Sequence, residues 1–363
     1  MNEPSMDAAR QPPILIVGQG LAGTLLAWEL VRRGRKVLVV DRDEPDTSTK
    51  VAAGIVTPIS GQRLTLGYGM DRFLPVARSC YSAMELEWGG SYFQSTGLVR
   101  LWAKEEEEAR FKARMTHADF AAHVGAAREN DRAMVDGGLF KDVLGGFEMP
   151  GGGWLDTRRW LADAAAWLEG LGMLRRMNLD VSSLRPEDGK VRLPDDSWAE
   201  AVVFCEGAEA RGNPWFPWLE WKCAKGEVLT ISAPDLSGEK RIVNRGGWVM
   251  PVDGRGTFRA GATYEWGRLD SVPTAEARQV LEGRLNALLK VGWEVIAHVA
   301  GVRPIIHQSL ARMGRHPVHS GLVFFNGLGS KGVLYGPGYA AMLAEHLVEG
   351  KPLPGEVDVA RNG

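Results

Sequence analysis

Unbroken apolar runs of four or five residues alternate along this chain with segments whose apolar residues recur every three or four positions. The first run, Ile14-Leu-Ile-Val, leads into a glycine-rich turn and then a helix-like stretch carrying Leu25, Leu26 and Leu30. A second run, Val37-Leu-Val-Val, ends in Asp41. Continuous apolar runs predict strands covered on both faces, and the longer spacing predicts helices packed on them. Helical spacing returns over 71–88 (Phe73, Leu74, Ala77, Tyr81, Met84), 103–122, 275–291 and 332–348, and over 157–168 behind Asp156 as an N-cap. Strand-like runs fall at 178–183, 191–193, 201–205, 297–303 and 321–327. Between 225 and 267 the pattern changes, and Glu227-Val-Leu-Thr-Ile, Trp248-Val-Met-Pro and Thr257-Phe-Arg-Ala-Gly-Ala-Thr-Tyr read as antiparallel strands. The expected class is α/β. A Rossmann-like cofactor domain is assembled from separated segments (14–90, 150–222 and 300–350). A mainly antiparallel-sheet domain (91–149 and 223–299) is inserted into it. Residues 1–13 and 351–363 are expected as tails, the first of them disordered.

The opening segment carries specific chemistry. Gly18, Gly20 and Gly23 stand between the first strand and the first helix, and Asp41 ends the second strand about twenty positions on. Gly18 permits a tight turn, Gly20 lets backbone approach a diphosphate, and Gly23 lets helix and strand pack closely. The helix N-terminus offers unpaired N–H groups to phosphates, and Asp41 offers an acceptor to a ribose hydroxyl. The competing reading is a glycine-rich turn in an ordinary α/β protein.

Composition narrows the partners. With 43 basic and 45 acidic residues the formal charge is −2, which argues against a nucleic-acid or membrane surface. The run Glu105 to Glu108 reads as a solvated helix face, with Glu106–Arg110 and Glu108–Lys112 as i,i+4 pairs. The 13 tryptophans suit either an apolar pocket lining or the core. Cys80, Cys205 and Cys223 form no CxxC pair, so neither a zinc site nor a disulfide framework is indicated, and a reducing cytoplasm fits. The N-terminal stretch lacks a basic region before its apolar run, which is too short for a signal or membrane helix.

Four further landmarks follow the glycines in order: the small-residue stretch from Ser48 to Pro58; Ala201 to Gly207; Trp248-Val-Met-Pro with Gly261-Ala-Thr-Tyr; and Gly301-Val-Arg-Pro through Gly314-Arg-His-Pro to Asn326-Gly-Leu-Gly-Ser-Lys-Gly-Val with Pro337. Together they resemble the D-amino-acid oxidase-like family of FAD-dependent oxidoreductases, over about residues 14–347. The resemblance implies non-covalent FAD, since no cysteine lies in the C-terminal flavin region. It implies that Gly18, Gly20, Leu21, Asp41 and Arg42 hold the ADP half. Ser48, Thr49, Ala53, Gly54 and Ile55 would face the pyrophosphate and flavin, Val181 would present backbone to the adenine, and Gly207 would close over the nucleotide. Gly329, Ser330, Lys331, Gly332 and Val333 would run along the flavin's pyrimidine edge. Arg303 would grip a substrate carboxylate, and Trp248 and Tyr264 would wall the substrate pocket.

Residue chemistry accords with two of these assignments. An arginine fork suits a carboxylate, although a structural ion pair at a strand end is the competing reading of Arg303. Lys331 at a helix start suits negative charge on a reduced flavin, although a solvent lysine explains it equally. Departures from the family pattern bear on substrate. Ile305-Ile-His-Gln-Ser stands where members often carry an Asp, Trp248 replaces a pocket tyrosine, and Ser330 replaces a second carboxylate-binding arginine. His307 and His316 are candidate bases by sequence proximity alone. The leading expectation is oxidation of a C–N bond in a small amine or amino acid, with oxygen or another acceptor taking the electrons. The rivals are oxidation of a modified tRNA wobble uridine, motivated by Gly329-Ser-Lys-Gly, a non-catalytic dinucleotide-binding protein and, more weakly, an NAD-dependent dehydrogenase. Substrate identity, acceptor and oligomeric state are not fixed by the sequence.

Overall fold

The computed structural model describes residues 12–141 and 144–362, so the expected disordered lead lies almost wholly outside the described residues. Two sheets organise the molecule. The first has six strands, ordered Leu174–Arg176, Val37–Asp41, Ile14–Val17, Ala201–Phe204, Leu322–Asn326 and Arg312–Arg315. Its first five strands are parallel and Arg312–Arg315 is antiparallel. Apolar runs form these strands because helices cover one face and a small meander with aromatic loops covers the other. Ile14 and Ile16 sit in the cluster with the helices Leu21–Arg32, Met70–Trp88, Thr157–Gly170 and Gly332–Glu349. Leu15 and Val40 face Leu184, Val191, Phe216 and Leu219.

Helices Leu21–Arg32 and Gly332–Glu349 pack closely where leucine side chains of the first fill the space that glycines of the second leave. A Cβ on Gly332 would meet Leu21 at 2.7 Å, and one on Gly336 would meet Leu25 at 2.7 Å. Pro337 lies inside the second helix and has no N–H for the Val333 carbonyl four residues back. The buried Tyr81 hydroxyl donates to that carbonyl at 2.9 Å instead.

The second sheet has eight strands, ordered Glu294–Arg303, Ala224–Ser232, Thr257–Gly261, Trp248–Pro251, Ile242–Asn244, Leu98–Leu101, Leu144–Met149 and Ala127–Ala133. Every pairing is antiparallel except Ile242–Asn244 with Leu98–Leu101. Helix Ala275–Leu288 packs its Leu281, Leu285 and Leu288 against one face. An aromatic cluster with Trp102, Phe111, Phe147 and Trp154 is built on the other.

Several expectations change. Strand Glu294–Arg303 pairs along its length with Ala224–Ser232, so residues 300–303 belong to the antiparallel sheet and not to the cofactor segment drawn at 300–350. Residues 351–362 are no tail: Leu353, Val357 and Val359 are buried, and Asp358 bridges Met313. Helix 103–122 is two helices, Glu105–Arg114 and Ala118–Ala121. Within its acidic run Glu107 is buried, not solvated, because Arg100, itself buried, donates to it at 3.1 Å. Glu108 pairs with Lys112 as expected, while Arg110 turns to the Gln62 carbonyl. The run 178–183 contains a short 3₁₀ turn, Val181–Ser183, and the neighbouring strand is Leu174–Arg176.

Candidate functional site

A cavity of about 700 Å³ opens where the first sheet's strand ends meet the second sheet. The carboxyl end of a parallel sheet is where such folds bind nucleotides. Its first-sheet side is lined by Gly18, Gly20, Leu21, Asp41, Arg42, Ser48 and Thr49, with Glu206 and Gly207 from the end of Ala201–Phe204. Its far side is lined by Gly226, Val228, Trp248, Ala262, Asp270, Val272 and Arg303. Ala53, Gly54 and Ile55, and Gly329, Ser330, Gly332 and Val333, lie between.

Backbone sterics shape the first-sheet side. Gly18 has φ +105°, and a Cβ there would fall 2.5 Å from the Cys205 carbonyl oxygen. A Cβ on Gly23 would fall 1.8 Å from the Gly18 carbonyl oxygen, so this glycine sits behind the turn and off the cavity. Gly20 precedes helix Leu21–Arg32 with no side-chain cap. Thr49 Oγ1 accepts from Leu21 N–H at 3.1 Å. The Asp41 carboxylate accepts from Gln19 N–H at 2.6 Å and Asp43 N–H at 2.7 Å, which holds it at the cavity edge. This glycine-lined helix start, where Gly20 brings no capping side chain, meets the steric and dipolar needs of a diphosphate, and the cavity extends past it to the second sheet. The residues present fit FAD.

The short helix Ser48–Val51 is clamped at its C-terminal end. Arg259 donates to the Ala52 carbonyl at 2.6 Å and to the Val51 carbonyl. Arg158 Nε donates to the Lys50 carbonyl at 2.7 Å, and Thr157 to the Ala52 carbonyl at 3.2 Å. Burial, with the Arg158 charge beside it, pushes Arg259 down to about 10. Sequence reasoning passed over Arg259 because it looks like an ordinary strand residue.

On the far side, Arg303 lies across the neighbouring strand. Its Nη1 donates to the Lys225 carbonyl at 3.3 Å and its Nη2 to the Thr263 carbonyl at 3.2 Å. Its guanidinium carbon stands 4.8 Å from the Tyr264 ring centroid. A Cβ on Gly226 would collide with it at 2.1 Å. No carboxylate pairs with Arg303 among the described residues, so the ion-pair reading is set aside. Burial holds its guanidinium below the usual arginine range.

Other expected site residues lie elsewhere. Lys331 precedes helix Gly332–Glu349, half-buried and off the cavity lining, and burial holds its ammonium below the usual lysine range. Tyr264 is reached through Arg303 and is 45% exposed. The Val181 carbonyl accepts from Trp215 Nε1 at 2.7 Å, and Met177, Asn178 and Leu179 line the cavity in its place. His316 is packed against Phe216 and Trp218, with Nδ1 accepting from the Val318 and His319 amides. His307 stands 3.8 Å from Glu220. Neither histidine lines the cavity. Of the 13 tryptophans only Trp248 lines it, and most of the others pack in aromatic clusters.

Sequence comparison gives the class. Residues 13–346 match the family described as FAD dependent oxidoreductase, and the chain belongs to it. It is therefore an FAD-dependent oxidoreductase. Among solved structures it is similar to glycine oxidase from Geobacillus kaustophilus, with TM-score 0.80, 22% identity and coverage of 94% of this chain and 96% of that one. It is also similar to iminodiacetate oxidase from Chelativorans sp. BNC1, with TM-score 0.73, 26% identity and coverage of 94% and 97%. Among curated relatives it is 25% identical to the tRNA 5-methylaminomethyl-2-thiouridine biosynthesis bifunctional protein of Azoarcus sp. (strain BH72), over 97% of this chain and 59% of that protein. The chain thus spans about six tenths of those relatives' length.

Proposed function

We propose that this protein oxidises the C–N bond of a small amine or amino acid that carries a carboxylate, with non-covalently held FAD as the first electron acceptor. One observation carries the reading: the Arg303 guanidinium borders the cavity with two carbonyl partners and no carboxylate among the described residues. A half-buried cation lacking its counter-ion is a ready partner for a ligand carboxylate, bound through a bidentate fork.

FAD, when bound, supplies the two-electron acceptor for a hydride leaving the carbon next to nitrogen. The protein's own groups do the rest. Gly18, Gly20, Leu21, Asp41, Arg42, Ser48 and Thr49 hold the nucleotide end, with Gly207 at its far edge. Ala53, Gly54, Ile55, Gly329, Ser330, Gly332 and Val333 form the wall along the ring end. Arg303 fixes the carboxylate and so sets which face of the substrate carbon turns toward that wall. Trp248 and Ala262 exclude water from the same side. The amine enters neutral, loses hydride and a proton to become an imine, and water splits the imine into a carbonyl compound and an amine. No side-chain base is required. The one acidic group lining the far side among the described residues, Asp270, is already held by Lys225 Nζ at 2.6 Å.

The described residues contain no helix long and apolar enough to cross a membrane. We place the protein in the cytoplasm, where reduced Cys80, Cys205 and Cys223 are at home, with oxygen or another carrier as final acceptor. We assign the first sheet and its helices to flavin binding and the second sheet to substrate, with the boundary after Arg303. A tRNA substrate is less well supported, because a formal charge of −2 offers no track for phosphates. The test is anaerobic mixing of the flavin-loaded protein with glycine, sarcosine and D-amino acids. Bleaching of the yellow colour by one of them is expected, and Arg303→Met should raise its KM roughly 10- to 100-fold, the worth of a lost charge-assisted pair. If no amine bleaches the flavin, the reading fails.

A further inference from the structure

Glu206 puts a negative charge where the fold receives an anion. It follows strand Ala201–Phe204 and lines the first-sheet side of the cavity beside Gly207. Its backbone abuts the glycine turn: a Cβ on Gly18 would fall 2.5 Å from the Cys205 carbonyl oxygen and 3.4 Å from the Glu206 nitrogen. The residue is half-buried, and Asn213 Nδ2 donates to its Oε2 at 2.7 Å. No cation pairs with it among the described residues. Arg42, whose charge acts on it from the end of Val37–Asp41, has its Nε 4.0 Å from Glu44. Glu209, on the turn after Glu206, adds a second negative charge, and Arg211 on that turn donates to the Ala208 carbonyl at 2.8 Å. Asp41 is occupied by the Gln19 and Asp43 amides, and burial keeps the Cys205 thiol protonated well past neutral pH. No histidine lines the cavity among the described residues.

The diphosphate of FAD is doubly charged at neutral pH. Seated on the Gly18–Gly20 turn, it shares the cavity with a carboxylate that starts from the backbone against that turn. A glutamate side chain is shorter than the about 10 Å over which charges act in dilute salt, and screening is weaker still where water is excluded. The nucleotide also displaces water from the residues it covers. Both effects oppose the ionised form of Glu206, and burial already raises its carboxyl above the ordinary value.

We propose that FAD binds to this protein together with one proton, taken up on the Glu206 carboxyl. The proton comes from solvent, no bond in the cofactor changes, and the neutral acid keeps an oxygen for Asn213. FAD itself takes up no proton near neutral pH. The carboxyl is raised further in the complex than in the free protein, so cofactor affinity is full below the free value and is lost as pH rises through the value in the complex. The inference uses the flavin site alone and is independent of the role given to Arg303.

Flavin-free protein is titrated with FAD, followed by flavin fluorescence, from about pH 5 to about pH 8.5. The dissociation constant is expected to rise about tenfold or more across that range, by no more than about tenfold per unit, the limit for one proton. Glu206→Gln and Glu206→Ala should each flatten the profile, and Glu206→Gln should bind FAD more tightly than the unmodified protein at the upper end. Calorimetry in two buffers of different ionisation heat, where the profile is steepest, should count proton uptake in the unmodified protein and none in Glu206→Gln. A flat profile in the unmodified protein, or the same slope in the variants, overturns the proposal. So does weaker binding by Glu206→Gln at every pH, which would make the carboxylate a ligand of the nucleotide. An unmodified protein that binds no FAD at any pH would remove the flavin site and the proposal with it.

Discussion

At the scale of single residues, the sharpest constraint on the site is Gly226. It lacks the Cβ that would meet Arg303 Nη2 at 2.1 Å and Cζ at 2.3 Å. The obstructing atoms end a flexible side chain, so Gly226→Ala should displace the guanidinium and leave the strand in place. The expected result is a loss of carboxylate affinity of about tenfold or more, with the melting temperature nearly unchanged. Titration with (methylthio)acetate beside a thermal melt separates the two effects, and a large fall in melting temperature would mean that the backbone had moved instead. Tyr81 makes the opposite kind of prediction. Its hydroxyl satisfies the carbonyl that Pro337 leaves free, so Tyr81→Phe should destabilise the fold by about 1–2 kcal/mol. Chemical denaturation measures this directly. Legibility at this scale followed chain distance. Gly18, Gly20 and Asp41 were readable because their motif is local, whereas Arg303 was reached only through the family resemblance carried by Gly301-Val-Arg-Pro. Gly226 and Tyr81 were not, since each answers to a residue far along the chain.

At the scale of elements, Ser48–Val51 shows how the two sheets meet at the cofactor wall. Four residues cannot hold a helix by propensity alone. The carbonyls of Lys50, Val51 and Ala52 are instead taken by Arg158, Arg259 and Thr157. Arg259 comes from the antiparallel sheet and Arg158 from the helix after Asp156, so elements of different origin converge on one turn. Arg259→Gln cannot reach both carbonyls, and the Ser48–Ile55 wall should loosen. FAD dissociation, followed by recovery of free-flavin fluorescence, should become about tenfold or more easier, while Arg259→Lys keeps one hydrogen bond and an intermediate affinity. Unchanged retention in Arg259→Gln would show the clamp to be incidental. Helices with strong apolar spacing, such as Met70–Trp88 and Gly332–Glu349, were legible almost to their ends. The 103–122 segment was not. Its acidic run fits a solvated helix, and only the Leu98–Leu101 strand reveals that Arg100 draws Glu107 inward.

At the scale of the whole molecule, the α/β class with an antiparallel second sheet was legible, because apolar runs and alternating runs have different periods. The burial of Glu206, after strand Ala201–Phe204, and of His298, on strand Glu294–Arg303, was not, and it bears on how stability depends on pH. Burial raises the Glu206 carboxyl above its ordinary value, although Asn213 Nδ2 donates to it at 2.7 Å. A raised carboxyl favours the folded state fully below about pH 4.5, and that contribution is lost as pH rises through the folded value. His298 runs the other way: burial lowers it despite Glu227 at 2.9 Å, so stability present above about pH 6.5 is lost as pH falls. At pH 8 the histidine is neutral in both states and the Glu206 penalty stands alone. Glu206→Gln keeps an oxygen for Asn213 and removes the charge. It should match the unmodified protein near pH 4 and exceed it at pH 8, by about 1.4 kcal/mol for each unit the carboxyl is raised, or roughly 2–3 °C per unit in melting temperature. Melts of both proteins, flavin-free, across that range decide the matter. A gain at pH 4 as large as that at pH 8 would trace the effect to packing, not to charge.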